Sequence, residues 1–206
     1  MKSYPEVEEV LEDLGEKVID ACLAAIAKAR DDLEDYRLIR PEYVASSSAR
    51  GLANWIHDRI WTHLAAALED IGEARIFELG ATREVFIEGT ALTYRIRAKR
   101  HHISGLVRTY PTQGALEFLD QPTQLTFEGL GLAHLIVGYQ WEPDAYAVGP
   151  AVLSLRDGLD NVIWLTELEQ PVPASSAKQF GSTRSGDRPR IELKGDDSAA
   201  PAAGEP

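Results

Sequence analysis

The sequence predicts an α+β fold: two long N-terminal helices, then a mostly antiparallel sheet with one short inserted helix. Three observations lead there. Apolar residues return every three or four positions as far as Ile71, the period of an amphipathic helix. Beyond Gly72 the period drops to two, which marks strands. Asp157-Gly158 then lies between two apolar runs, a strong hairpin signal.

Ser3-Tyr4-Pro5-Glu6 has a capping-box pattern, with proline where its missing N–H does no harm, so the first helix starts here. Val7, Leu11, Leu14, Val18, Cys22, Ile26, Ala29 and Leu33 form one stripe on an otherwise acidic helix, with Gly15 as its soft spot. Arg40-Pro41 ends or breaks it, because the residue before proline disfavours the helical region. Ser46-Ser47-Ser48 offers caps for a second helix. Leu52, Trp55, Ile56, Ile60, His63, Leu64, Ala67 and Ile71 mark its buried side, and Gly72 is its stop.

Short strands are expected at 74–79 and 84–87, joined by a turn at Gly80. A longer strand at 91–100 sends Leu92, Tyr94, Ile96 and Ala98 one way and Thr93, Arg95, Arg97 and Lys99 the other. Pro111-Thr112-Gln113 opens a short helix to about Asp120. Strands at 132–141, 146–156 and 161–168 follow. They are apolar on both faces, so helices or a partner must cover the sheet on both sides. Residues 1–170 read as a single domain, with the long acidic helix over 1–40 and a helix plus sheet over 45–170. Residues 171–206, rich in Pro, Ala, Ser, Gly and charge, read as a disordered tail.

The 206 residues carry a net charge of −12, unevenly spread. Residues 1–40 have 6 basic and 11 acidic side chains, residues 83–108 have 6 and 2, and residues 109–170 have 1 and 9. Phosphate repels so acidic a chain, which disfavours general nucleic-acid binding and suits a basic protein partner. The single cysteine excludes an internal disulfide framework and a four-cysteine zinc site. The opening residues are polar and acidic, and no stretch approaches the roughly 18 apolar residues of a membrane span. A cytoplasmic location without membrane association is the expectation. No cofactor is implied, and a homo-oligomer stays open.

Five chemistries can be weighed. Arg50 and His57, seven positions apart on one helix, resemble the Arg–His pair of HEPN ribonucleases. Those folds are all-helical, however, and a surface polar role for His57 and Asp58 is the stronger reading. His57, His63, His101, His102 and His134 lack zinc-site spacing. A restriction-endonuclease-like nuclease would suit the coarse element order. Its chemistry needs an Asp and a Glu-x-Lys set to hold Mg²⁺, and Arg97-Ala98-Lys99 has arginine at the carboxylate position. No Gly-x-Ser-x-Gly or phosphate-binding glycine loop is present, and Cys22 falls on an apolar stripe. The fifth candidate is the basic strand. Arg95, Arg97 and Lys99 share a face, with Arg100 and Arg108 close in sequence, as a partner- or phosphate-binding surface. The competing reading sets these cations against Glu8, Glu12 and Asp13 of the first helix, or on a solvated sheet edge. Tyr139, Trp141 and Trp164 could line a small-molecule pocket, but packing is the plainer role for large aromatics.

Several segments taken in order resemble a bacterial family: Ser48-Ala49-Arg50 through Ile56-His57-Asp58, then Arg95-Ile96-Arg97-Ala98-Lys99, Pro111-Thr112-Gln113, Leu135-Ile136-Val137-Gly138-Tyr139 and Ile163-Trp164. The family comprises the small proteins encoded beside toxins that join a helix-turn-helix to an ImmA/IrrE-type metallopeptidase domain, as in Rosmer-type toxin–antitoxin and phage-defence pairs. The resemblance covers about residues 45–168. It implies a non-enzymatic antitoxin or regulatory partner, with that toxin as the protein bound. The alternative is a nucleic-acid binder or ribonuclease using the basic strand 95–100 with Arg50 and His57.

Overall fold

A computed structural model describes residues 4–80, 82–107, 109–122 and 131–169. The chain opens with α1 (Val7–Leu14) and α2 (Glu16–Ile39). Gly15 separates them at φ +77°, a left-handed conformation that glycine adopts without steric cost. The soft spot in the expected single helix is thus a true break. It turns Val10 and Leu14 into the core in line with Val18, Cys22, Ile26, Ala29 and Leu33. Ser3, expected to cap, lies outside the described residues; Glu6 is the N-cap, its N–H donating to Glu9 Oε2 at 3.2 Å.

Pro41 does more than end α2. It occupies the first turn of a short helix, α3 (Pro41–Ser46), where its fixed φ is already helical. Ser48 then caps α4 (Ala49–Leu68) by accepting the Gly51 N–H at 3.0 Å. Leu52, Ile56, Ile60, Trp61, Leu64 and Leu68 are its buried residues.

Among the described residues six strands follow, β1 (Ala74–Leu79), β2 (Thr82–Glu88), β3 (Leu92–His101), β4 (Gly131–Glu142), β5 (Ala147–Arg156) and β6 (Val162–Glu167), hydrogen-bonded in that order. Every neighbouring pair is antiparallel except β3 and β4, which run parallel. A parallel pair needs a crossover, and α5 (Gln113–Leu119) lies in that connection. Thr112 caps α5 through its hydroxyl, which accepts the Ala115 N–H at 3.2 Å.

The two-sided apolar pattern is explained by two cores. On one face Val85, Ile87, Tyr94, Ile96, Ala98, Leu135, Val137, Tyr139, Leu153 and Leu155 share a core with α1, α2 and α4. On the other, Ile136 packs with Phe118, Leu119 and Val107. Helix and sheet are also tied by polar contacts: the Arg30 guanidinium donates to the Val148 and Gly149 carbonyls at 2.8 and 2.6 Å. Trp164 Nε1 donates to the Pro5 carbonyl at 2.9 Å, and Tyr139 is fully buried, so both aromatics are packing residues. No helix among the described residues is long and apolar enough to cross a membrane. The expected tail lies outside the described residues.

Candidate functional site

The basic strand is β3, and the pleat divides its cations between the two faces. Arg95, Arg97 and Lys99 point toward α5. Arg100 points the other way, its guanidinium 5.6 Å from the centre of the Trp141 ring. Arg108 lies outside the described residues.

The counter-charge for Arg95 and Arg97 is Glu84 of β2, only 1% exposed. Register explains the meeting, because Val85 pairs with Ile96, which sets Glu84 level with Arg97 on the same face. Arg95 grips the carboxylate in a fork, Nε to Oε2 at 2.6 Å and Nη2 to Oε1 at 2.7 Å. Arg97 adds Nε to Oε1 at 2.7 Å and a second bond from Nη2 to the same oxygen. Burial works against the charge on Glu84, but the hydrogen bonds and charges of Arg95 and Arg97 outweigh it and hold the carboxyl below its usual range. Both guanidiniums also lie over Phe118, at 5.5 and 4.1 Å from the ring centre, and Phe118 stacks on His134 at 5.0 Å. His134 Nδ1–H donates to the Phe118 carbonyl at 2.8 Å.

Arg95 and Arg97 are therefore spent on a neighbouring strand and an aromatic ring. Lys99 differs: it is half-buried and, among the described residues, has no ion pair. Burial, then the Arg97 charge, lowers its ammonium pKa.

The acids of the first helix meet something else. Asp13 accepts backbone N–H groups from Thr90 at 2.6 Å, Ala91 at 3.1 Å and Leu92 at 3.2 Å, and the Tyr94 hydroxyl at 2.9 Å. Burial opposes its charge, yet these bonds prevail and keep its carboxyl low. Asp13 clamps α1 to the β2–β3 turn and to the start of β3, where its partners are backbone N–H groups and the Tyr94 hydroxyl and not the strand's cations.

His57 and Arg50 differ in surroundings. Arg50 is exposed in the first turn of α4. His57 is half-buried with Asp58, Arg83 and Lys99 around it, and burial, then Lys99 and Arg83, pushes its pKa down. Arg83 bonds Asp58 at 2.5 Å and Glu78 at 2.8 Å. The histidines are dispersed. His63 bonds Asp32 at 2.6 Å, His101 bonds Ser154 at 2.9 Å, and His102 bonds Ser104 at 2.9 Å. No group of three or more His, Cys, Asp or Glu among the described residues could hold a metal ion. The element order that a nuclease reading needs is present, three antiparallel strands, a crossover helix and a parallel strand. Its carboxylate position is Arg97, however, which shares the one acid Glu84 with Arg95, and a divalent cation there would meet net positive charge. Cys22 is buried and its thiol is pushed up to about 12 by burial, as a packed residue should be.

The features that sequence reading missed are Glu84, and the buried Arg156, whose guanidinium donates to the Gly105 and Leu159 carbonyls at 2.7 and 3.1 Å. An isolated acid in a short strand gives no signal until the register is known. Exposed apolar side chains cluster in sequence elsewhere. Leu38, Ile39 and Tyr43, at the corner between α2 and α3, are 82, 70 and 53% exposed. The architecture defines a mixed α+β protein. No known protein family, curated protein or solved structure matches the chain.

Proposed function

We propose that this chain is a non-enzymatic, protein-binding partner of the antitoxin or regulatory kind. The observation that carries the reading is the α2–α3 corner. Leu38, Ile39 and Tyr43 expose large apolar surface within one short stretch, next to the exposed acids Glu34, Asp35 and Glu42. Exposed apolar side chains with a polar rim are typical of protein–protein contacts, and the rim here combines those acids with Arg40, whose guanidinium lies 5.8 Å from the centre of the Tyr43 ring. The state of the basic strand adds to this. Arg95 and Arg97 are both held by Glu84, so their guanidiniums are less available to a nucleic-acid backbone than those of an unpaired basic strand.

The partner suggested by the sequence resemblance is a helix-turn-helix plus metallopeptidase toxin encoded by an adjacent gene. Co-expression tests this. The chain should co-purify with that product and relieve its toxicity, and Leu38→Asp combined with Ile39→Asp should abolish both while leaving the fold intact. A wild-type chain that neither co-purifies nor restores growth would sink the reading.

A further inference from the structure

We propose that β1 is a self-association edge, where two copies of this chain join their sheets by antiparallel pairing centred on Phe77. Among the described residues β1 is the terminal strand of the sheet and bonds only to β2. The Glu88 N–H donates to the Glu73 carbonyl at 3.0 Å, which fixes the phase of the ladder. Residues 75, 77 and 79 then turn their backbone groups toward β2, and residues 74, 76 and 78 turn theirs outward. The Ala74 N–H is taken by the Ile71 carbonyl at 3.0 Å. The N–H and carbonyl groups of Ile76 and Glu78 form the open edge.

This edge lacks the usual protections. It has no proline, no lysine and no register shift against β2. Its charges are cancelled within the hairpin, Arg75 by Glu88 at 2.9 Å and Glu78 by Arg83 at 2.8 Å. Copies of a chain with net charge −12 repel each other over most of their surface, but not here. Ile76, Phe77 and Leu79 are exposed beside the edge, Leu79 by 70%.

Two-fold symmetry narrows the register. Side-by-side antiparallel strands keep like faces on one side only when a residue meets its own copy at the axis. An axis at Glu78 or Arg75 would oppose like charges. An axis at Ile76 would leave the Glu78 carbonyl facing an Ala74 N–H that Ile71 already holds. An axis at Phe77 pairs Ile76 with Glu78 of the second copy, so every open group of both residues finds a partner. It also brings the two Phe77 rings together at a non-hydrogen-bonded position, where side chains approach most closely.

Sedimentation velocity on the full chain tests this. The wild type should be a dimer at tens of micromolar. Ile76→Pro removes one outward N–H and leaves the β2 ladder intact, and Phe77→Lys opposes like charges at the axis. Both should shift the equilibrium toward monomer by at least about tenfold, with unchanged far-ultraviolet circular dichroism. Phe77→Cys should form a disulfide-linked dimer on mild oxidation, and Leu79→Cys should not, while Cys22 stays buried and inert. A wild type that is monomeric throughout, including one whose β1 is taken by a different protein, overturns the proposal. So does a Phe77→Lys variant that dimerises as the wild type does.

Discussion

Glu84 and Arg95 face each other across β2 and β3 through two parallel hydrogen bonds of 2.6 and 2.7 Å, with the carboxylate out of contact with water. Arg97 completes the cluster from the same strand. Removing the acid alone strands two guanidiniums. Glu84→Ala should therefore cost about 3–5 kcal/mol, the range for breaking a buried ion pair. Urea unfolding measures it. A loss below about 1 kcal/mol would mean that the cluster is solvated and Arg95 and Arg97 are free to bind.

His101 is fully buried, and burial, then the nearby Arg156 charge, pushes its imidazole down to about 4 from the ordinary 6.5. Between those values the unfolded chain binds a proton that the folded protein refuses. Stability from this residue is full above 6.5 and falls as pH drops toward 4, by up to about 3 kcal/mol. His101→Gln keeps a hydrogen-bonding group for Ser154 and carries no titration. Urea midpoints at about pH 7 and about pH 4.5 should show a larger acid loss for the wild type than for the variant. Equal losses would contradict the neutral buried histidine.

Two glycines should respond oppositely to alanine. A Cβ at Gly138 would overlap the Lys99 carbonyl oxygen across the parallel β3–β4 pair, whereas one at Gly114 in α5 meets nothing. Gly138→Ala should destabilise by about 3 kcal/mol or more, since backbone must move. Gly114→Ala should be neutral or stabilise by up to about 1 kcal/mol through helix propensity. Thermal melting of both variants separates them, and a harmless Gly138→Ala would show that the close strand approach is wrong.

Asp13→Ala should loosen the turn that joins β2 to β3. Three N–H groups and the Tyr94 hydroxyl lose their shared acceptor, and a cost of about 2 kcal/mol is expected. Hydrogen exchange should speed up first at Thr90, Ala91 and Leu92. Exchange that is unchanged there would remove Asp13 as the clamp.

Much of the fold was legible because the local chemistry is consistent. The strand over 74–79 was placed where it stands, Ser48 caps the second long helix, and the Asp157-Gly158 turn lies between β5 and β6. Gly15 reads as weak in the sequence, but whether a glycine breaks a helix depends on the packing on either side of it. The α3 helix was missed because proline gives the same signal when it stops one helix and when it starts another. The site was less legible for a deeper reason. The shared face of Arg95, Arg97 and Lys99 follows from a period of two, but the identity of their counter-charge depends on strand register. Register is a tertiary property: Glu84 lies 11 and 13 residues from its partners, and the expected acid, Asp13, serves backbone N–H groups. Exposed apolar residues at Leu38 and Ile39 were equally hidden, since in sequence they look like more of the same helix.

In the proposed function the chain binds a protein through Leu38, Ile39 and Tyr43. Titration calorimetry between the purified chain and the adjacent gene product tests it most directly. Saturable binding by the wild type, reduced at least about a hundredfold by Leu38→Asp with Ile39→Asp, is the predicted result for loss of an apolar interface centre. No heat with the wild type, or the same affinity for both proteins, would contradict it.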